Sequence, residues 1–207
     1  MDTFAVPNKH TLNNALNNLH NLLKQFVQIE DKAWQDMQAR LKSRTYKKRD
    51  IFIKEGNICT EIAFIVKGSF RYYTVIDGVE ITTYFSFENE WLSSYSSFLS
   101  NTPSLVSIEA MKDAEILVLG KADLQELYSR YLSVEHFGRY MAEHLVTCLD
   151  TRMHSLLLKT PEERYLKALN ETPEYFEKVP LHYIASFLGI SPESLSRIRR
   201  RVMLRVS

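Results

Sequence analysis

"EIAFIVKGSFRYYTVIDGVEITTYFSF" (residues 61–87) holds three runs of β-branched and aromatic residues separated by two short breaks, Lys67-Gly68 and Asp77-Gly78. Runs of this composition bounded by turn residues read as strands. Asp-Gly between two such runs predicts a tight hairpin, because glycine accepts the positive φ that the turn needs. The same texture extends outward from Thr45 to Leu119. It takes in "DIFI" (50–53) on one side, and "LVSIEAM" (105–111) and "EILVLG" (115–120) on the other, with a further turn at Glu55-Gly56-Asn57. Short strands at this spacing predict an antiparallel sandwich or roll.

On both sides of the roll the period changes to helical. Leu12, Leu16, Leu19, Leu23 and Phe26 recur at four- and three-residue steps and align on one stripe. This predicts a helix packed on the body of the protein, with self-association as the alternative. A second short helix is predicted around Trp34, Met37 and Leu41. Downstream, "KADLQELYSRYL" (121–132) predicts one short helix. From Val134 to Leu158 there is no proline and only Gly138, so one helix of roughly 25 residues and about 37 Å is expected. Thr160-Pro161-Glu162-Glu163 then reads as an N-cap, a proline in the first turn and a capping-box glutamate. A domain boundary is expected just before it.

The C-terminal segment "IASFLGISPESLSRIRRR" (184–201) bears the chemistry. Leu181 to Leu188 predicts a short amphipathic helix with Ile184 and Leu188 inward, and with Ala185 small enough for a close crossing. Gly189 follows where a helix must end. Ser191-Pro192-Glu193 restarts a helix with a capping serine, a first-turn proline and an acid at the positive end of the dipole. Leu195, Ile198 and Val202 then face inward. Glu193, Ser196, Arg197 and Arg200 face out. This is the pattern of a helix-turn-helix whose second helix reads the major groove. A solvated basic helix in a small bundle is the plainer alternative.

Overall charge is neutral on balance, formally +1 with 45% hydrophobic and 25% charged residues, an ordinary soluble composition. The basic character is local: after Pro192, five arginines (197, 199, 200, 201, 205) face the single acid Glu193. Cys59 and Cys148 form no metal or redox spacing. His144 and Cys148 are four apart, but two ligands make an incomplete metal site; no metal is expected. There is no P-loop, HExxH or GxSxG motif, and no enzyme activity is expected. The N-terminus shows no secretory pattern and the apolar runs are too short to span a bilayer. A cytoplasmic protein with reduced thiols and no membrane partner is expected.

A β-roll, a long helix and a C-terminal helix-turn-helix, in that order, resemble the Crp/Fnr family of bacterial transcription regulators. The resemblance rests on "KKRDIFIKEG" (47–56), "EIAFIVKGSFRYY" (61–73), "SYSSFLSNTPSLVSIEAM" (94–111) and the C-terminal stretch. It implies an α+β chain: an antiparallel β-roll like a cyclic-nucleotide-binding domain, with flanking helices and a long dimerisation helix over residues 1–158, then a small helical helix-turn-helix domain over 159–207. It also implies double-stranded DNA as partner, a homodimer with Phe137, Met141, Leu145 and Cys148 near the seam, and RNA polymerase as partner if the protein activates. DNA-contacting residues would be Ser191, Glu193, Ser196, Arg197, Arg200 and Arg201, with Arg201 and Arg205 toward phosphates. Pro192 stands where some members carry another arginine.

Departures from the family bear on the effector. Nucleotide-binding members carry a Gly-Glu pair for the ribose and an Arg-Ser pair for the phosphate; here Ser93-Ser94 and Ser104-Leu105 align there. A phosphate without arginine lacks its charge-assisted partner. Ser93, Ser94, Tyr95, Ser96 and Ser97 offer hydroxyls, and Arg71 is the one candidate cation. The expectation is an unidentified small effector other than cyclic AMP. A ligand-binding roll whose C-terminal helices serve protein interaction is the alternative function.

Overall fold

The computed structural model describes residues 9–206. These fall into two compact units, one ending at Tyr72 and resuming over Phe85–Glu143, the other made of Tyr73–Tyr84 and the chain from His144 onward.

The first unit holds two helices, α1 (Lys9–Phe26) and α2 (Asp31–Arg40), followed by the roll. The roll's strands are β1 (Lys42–Tyr46), β2 (Ile51–Ile53), β3 (Glu61–Lys67), β4 (Ser69–Ile76), β5 (Val79–Phe87), β6 (Trp91–Leu92), β7 (Ser107–Ala110) and β8 (Ala114–Gly120), with the short α3 (Tyr95–Ser100) between β6 and β7. They form two four-stranded sheets, ordered β1-β8-β3-β6 and β2-β7-β4-β5. β8 pairs antiparallel with both β1 and β3. The hairpin turn predicted at Asp77-Gly78 is there, with both residues at positive φ.

Why "IAFIV" and "ILVLG" read as unbroken apolar runs is now clear. Successive side chains of a strand point to opposite faces, and β3 and β8 are buried on both. Phe64, Leu117 and Leu119 join a core with Leu16, Leu19, Leu23, Trp34 and Met37 of the N-terminal helices. Their neighbours Ala63, Ile65, Ile116 and Val118 join a second core with Phe70, Tyr72, Ile108 and Ala110. The N-terminal stripe therefore packs on the body as expected, except that Phe26 at its end is half exposed and stacks on Tyr140 at 4.5 Å.

One element differs from the sequence reading. The stretch 121–132 does not form a single helix: α4 (Lys121–Arg130) stops where Tyr131 turns extended, at φ −133 and ψ 106. The Tyr131 carbonyl then accepts from Val134 N and Glu135 N, so it starts α5 (Leu132–Leu158) two residues before Val134.

The second unit contains the hairpin tip, the C-terminal part of α5, and four further helices: α6 (Pro161–Glu171), α7 (Glu174–Lys178), α8 (Leu181–Phe187) and α9 (Pro192–Val206). Thr160 caps α6 with the full reciprocal box: its hydroxyl accepts from Glu163 N at 3.3 Å, and Glu163 Oε2 accepts from Thr160 N at 2.7 Å. The Thr160 N–H and hydroxyl, both donating to the Glu163 carboxylate, hold it below the usual carboxylate range. α7 has no counterpart in the sequence reading, since a single turn shows no periodicity. Among the described residues, no helix is long and apolar enough to cross a membrane.

Candidate nucleic-acid interface and effector site

The turn between α8 and α9 is built as its residues dictate. Gly189 lies at φ +67, where an L side chain is disfavoured. Its N–H donates to Ser186 O at 2.9 Å, and Ile190 N donates to Ala185 O at 3.0 Å, closing the end of α8. The Ser191 hydroxyl accepts from Ser194 N at 3.2 Å and so caps α9. Ile184, Ala185 and Leu188 of the first helix are buried, as are Leu195 and Ile198 of the second. Val202 is half-buried.

Opposite that core, Glu193, Ser196, Arg197 and Arg200 are all exposed. The Glu193 carboxyl is held below its ordinary range by its own backbone N–H, by the Ser191 hydroxyl and by nearby Arg197. Arg197 Nη2 donates to Ser194 Oγ at 3.2 Å, a light tether that leaves its fork on the surface. Arg201 is placed differently: it pairs with Glu162 of α6 at 3.1 Å. The side chain of Arg205 lies outside the described residues.

Two residues absent from the sequence reading secure α8. The Arg152 guanidinium of α5 lies 3.8 Å from the centre of the Phe187 ring and donates to the Phe187 carbonyl. Arg164 of α6 donates through Nε to Leu188 O at 2.9 Å, and through Nη1 to Lys159 O at 2.7 Å. Cations at a helix C-terminus meet the negative end of its dipole. Burial and the neighbouring Arg164 push Arg152 down to about 10, which leaves it charged at neutral pH. No spacing in the sequence separates these arginines from surface ones.

In the roll, the serines of the 93–104 loop are tied into the protein itself. Ser93 donates to Glu61 O at 3.0 Å. Ser97 accepts from Cys59 N at 2.9 Å and donates to Thr102 O at 2.5 Å. The Ser104 hydroxyl bonds the Ser94 hydroxyl at 2.8 Å and donates to Val106 O at 2.6 Å. Tyr95 is half-buried, which pushes its phenol up. Ser96 is exposed, and Leu105 is 75% exposed. Arg71 is only 1% exposed and lies 3.6 Å from Glu109 on β7. A shallow surface depression beside this loop is lined by Thr60, Glu61, Asn101, Lys121 and Gln125.

Along α5, Phe137 is 6% exposed and packs against Trp91 within its own protomer, and Met141 joins the same core. Leu145 and Cys148 are half-buried. The exposed apolar side chains of this helix are others: Val146, Leu149, Met153, Leu156 and Leu157, with Leu132 and Leu158 at its two ends. His144 Nε2 lies 3.5 Å from Cys148 Sγ. Among the described residues, no group of three or more His, Cys, Asp and Glu could hold a metal.

Residues 43–131 match the family model of the cyclic nucleotide-binding domain. Over that stretch the roll is similar to a cyclic nucleotide-binding domain. No curated protein matches the chain in sequence. Among solved structures, FixK2 from Bradyrhizobium japonicum is similar with a TM-score of 0.70 at 18% identity, covering 80% of this chain and 85% of its own. A putative Crp/Fnr-family transcriptional regulator from Eubacterium rectale gives 0.67 at 19% identity, covering 91% and 88%. The catabolite activator protein of Thermus thermophilus gives 0.55 at 18%, covering 86% and 85%. Together these likenesses show that the chain has the fold of Crp/Fnr-type structures.

Proposed function

We propose that this chain is a homodimeric transcription regulator whose α8–α9 pair reads a pseudo-palindromic DNA operator, under control of a small effector of the roll other than cyclic AMP. The observation that supports this most is the exposed face of α9, Glu193, Ser196, Arg197 and Arg200, presented by a short, capped turn over a buried core. In a helix-turn-helix, that face of the second helix meets base edges. The sensory part would span residues 1–158 and the reader 159–207, with RNA polymerase engaged if the protein activates, and the site of action in the cytoplasm. The exposed apolar residues of α5 support the dimer, because a contiguous apolar strip on a helix marks a partner surface.

Arg197 has the reach and fork to take a guanine bidentately, a contact worth about 1–3 kcal/mol of discrimination. Arg201 would leave Glu162 for a phosphate. The test is selection of a binding site from random duplexes, followed by titration at several salt concentrations. Wild type should bind with a steep loss of affinity in salt. Arg197→Ala should relax the preference at one base of each half-site. Arg201→Ala should weaken all duplexes alike and flatten the salt slope by about one per contact. Absence of salt-dependent duplex binding would instead favour a C-terminal unit that binds protein.

A further inference from the structure

β5 stands at the end of its sheet, so alternate residues along its outer side direct N–H and C=O groups away from the ladder. In the second unit, one side chain meets two of these groups. Thr82 N–H donates to Ser186 Oγ of α8 at 2.8 Å, and the Ser186 hydroxyl donates to the Glu80 carbonyl at 3.4 Å. A hydroxyl accepts and donates at once, so Ser186 stands in for one residue of a neighbouring strand. Thr82 is 2% exposed, while the Ser186–Glu80 end of the contact is open to solvent. One residue further on, α8 is gripped at its last carbonyls by Arg152 and Arg164. The exposed face of α9 takes no part in any of these bonds.

We propose that Ser186 is a positioning residue that latches the helix-turn-helix to the β4–β5 hairpin, so that the hairpin sets how each α9 of a dimer is presented to its half-site. This rests on the DNA-reading function proposed above. β4 and β5 run without interruption from the hairpin tip into the sheet of the roll. In sequence Ser186 is an ordinary helix serine, 104 residues from Thr82.

The full chain is compared with Ser186→Ala and with Ser186→Thr, which keeps the hydroxyl. Hydrogen exchange is followed at the Thr82 amide, and affinity is measured for the selected operator and for versions with the half-site spacing changed by one base pair either way. Loss of the latch should speed Thr82 exchange in Ser186→Ala and weaken operator binding roughly 3- to 10-fold, the worth of one or two such hydrogen bonds. It should also narrow the difference between correct and altered spacings, because a loosened reader adjusts more readily. Ser186→Thr should behave as wild type. Equal weakening at every spacing would mean that Ser186 only stabilises the fold and would overturn the proposal, as would unchanged Thr82 exchange. If wild type binds no duplex, the DNA-reading function fails, and the Thr82 exchange rates still decide whether the latch exists.

Discussion

Gly68 and Gly189 both sit at positive φ, at +108 and +67, yet they are constrained to different degrees. A Cβ on Gly68 would lie 2.4 Å from Ala114 Cβ and 2.7 Å from Ala114 Cα, whereas one on Gly189 would meet only ordinary contacts, Leu156 at 3.7 Å and Arg164 at 3.9 Å. Gly189→Ala should therefore cost only the backbone term, about 1–2 kcal/mol. Gly68→Ala adds overpacking against backbone, typically another 1–3 kcal/mol. Urea unfolding should rank Gly68→Ala clearly below Gly189→Ala; equal losses would show that the approach of Ala114 relaxes freely. Both turns were legible in the sequence as glycines between periodic runs. The crowding at Gly68 was not, because Ala114 reaches it across 46 residues of chain. The same holds for Arg152 and Arg164: a carbonyl acceptor leaves no mark in sequence.

At the level of elements, α5 shows most plainly what periodicity leaves open. It is apolar on more than one side, so the sequence offers two stripes and no means of choosing between them. The expected seam of Phe137, Met141, Leu145 and Cys148 includes two residues that the protomer uses for its own core. Leu149 and Met153, at 59% and 50% exposed, lie one turn apart on the other stripe. If the dimer forms there, replacing both with glutamate should bring the protein to monomer mass by light scattering at tens of micromolar, with its melting temperature in the monomer little changed. Phe137→Ala should act in the opposite way, lowering stability by about 3–5 kcal/mol through the cavity it leaves without removing the dimer surface. A dimer that survives the double glutamate change places the seam elsewhere.

For the whole molecule, the roll resembles a cyclic nucleotide-binding domain, while the sequence reading puts no arginine at the phosphate position. Ser104, which the sequence reading aligns with the phosphate position, has its hydroxyl committed to Ser94 and Val106. Arg71, the nearest candidate cation in the sequence reading, is sunk in the sheet beside Glu109. A cyclic phosphate brought into such a site would give up water without gaining a charge-assisted partner. Calorimetry with cyclic AMP should show no binding at micromolar concentrations, and a micromolar dissociation constant would overturn this reading. The serines themselves were visible in the sequence as potential ligand donors. Only the structure shows that Ser93, Ser94, Ser97 and Ser104 hold the loop together.

By itself the sequence determined what depends on near neighbours. Turn-bounded runs of β-branched and aromatic residues marked the roll and helical apolar periods the helices around it, glycine and Asp-Gly marked the turns, and Thr160 and Ser191 capped the helices they precede. These signals survive in sequence because each arises from backbone geometry within a few residues. The tertiary structure decided which stripe of α5 faces the protomer's own core, which serines are already spoken for, and that Ser186 meets the edge of β5. Those are pairings between residues tens of positions apart, and a side chain's partner across such a distance is set by how elements pack, which no local pattern encodes.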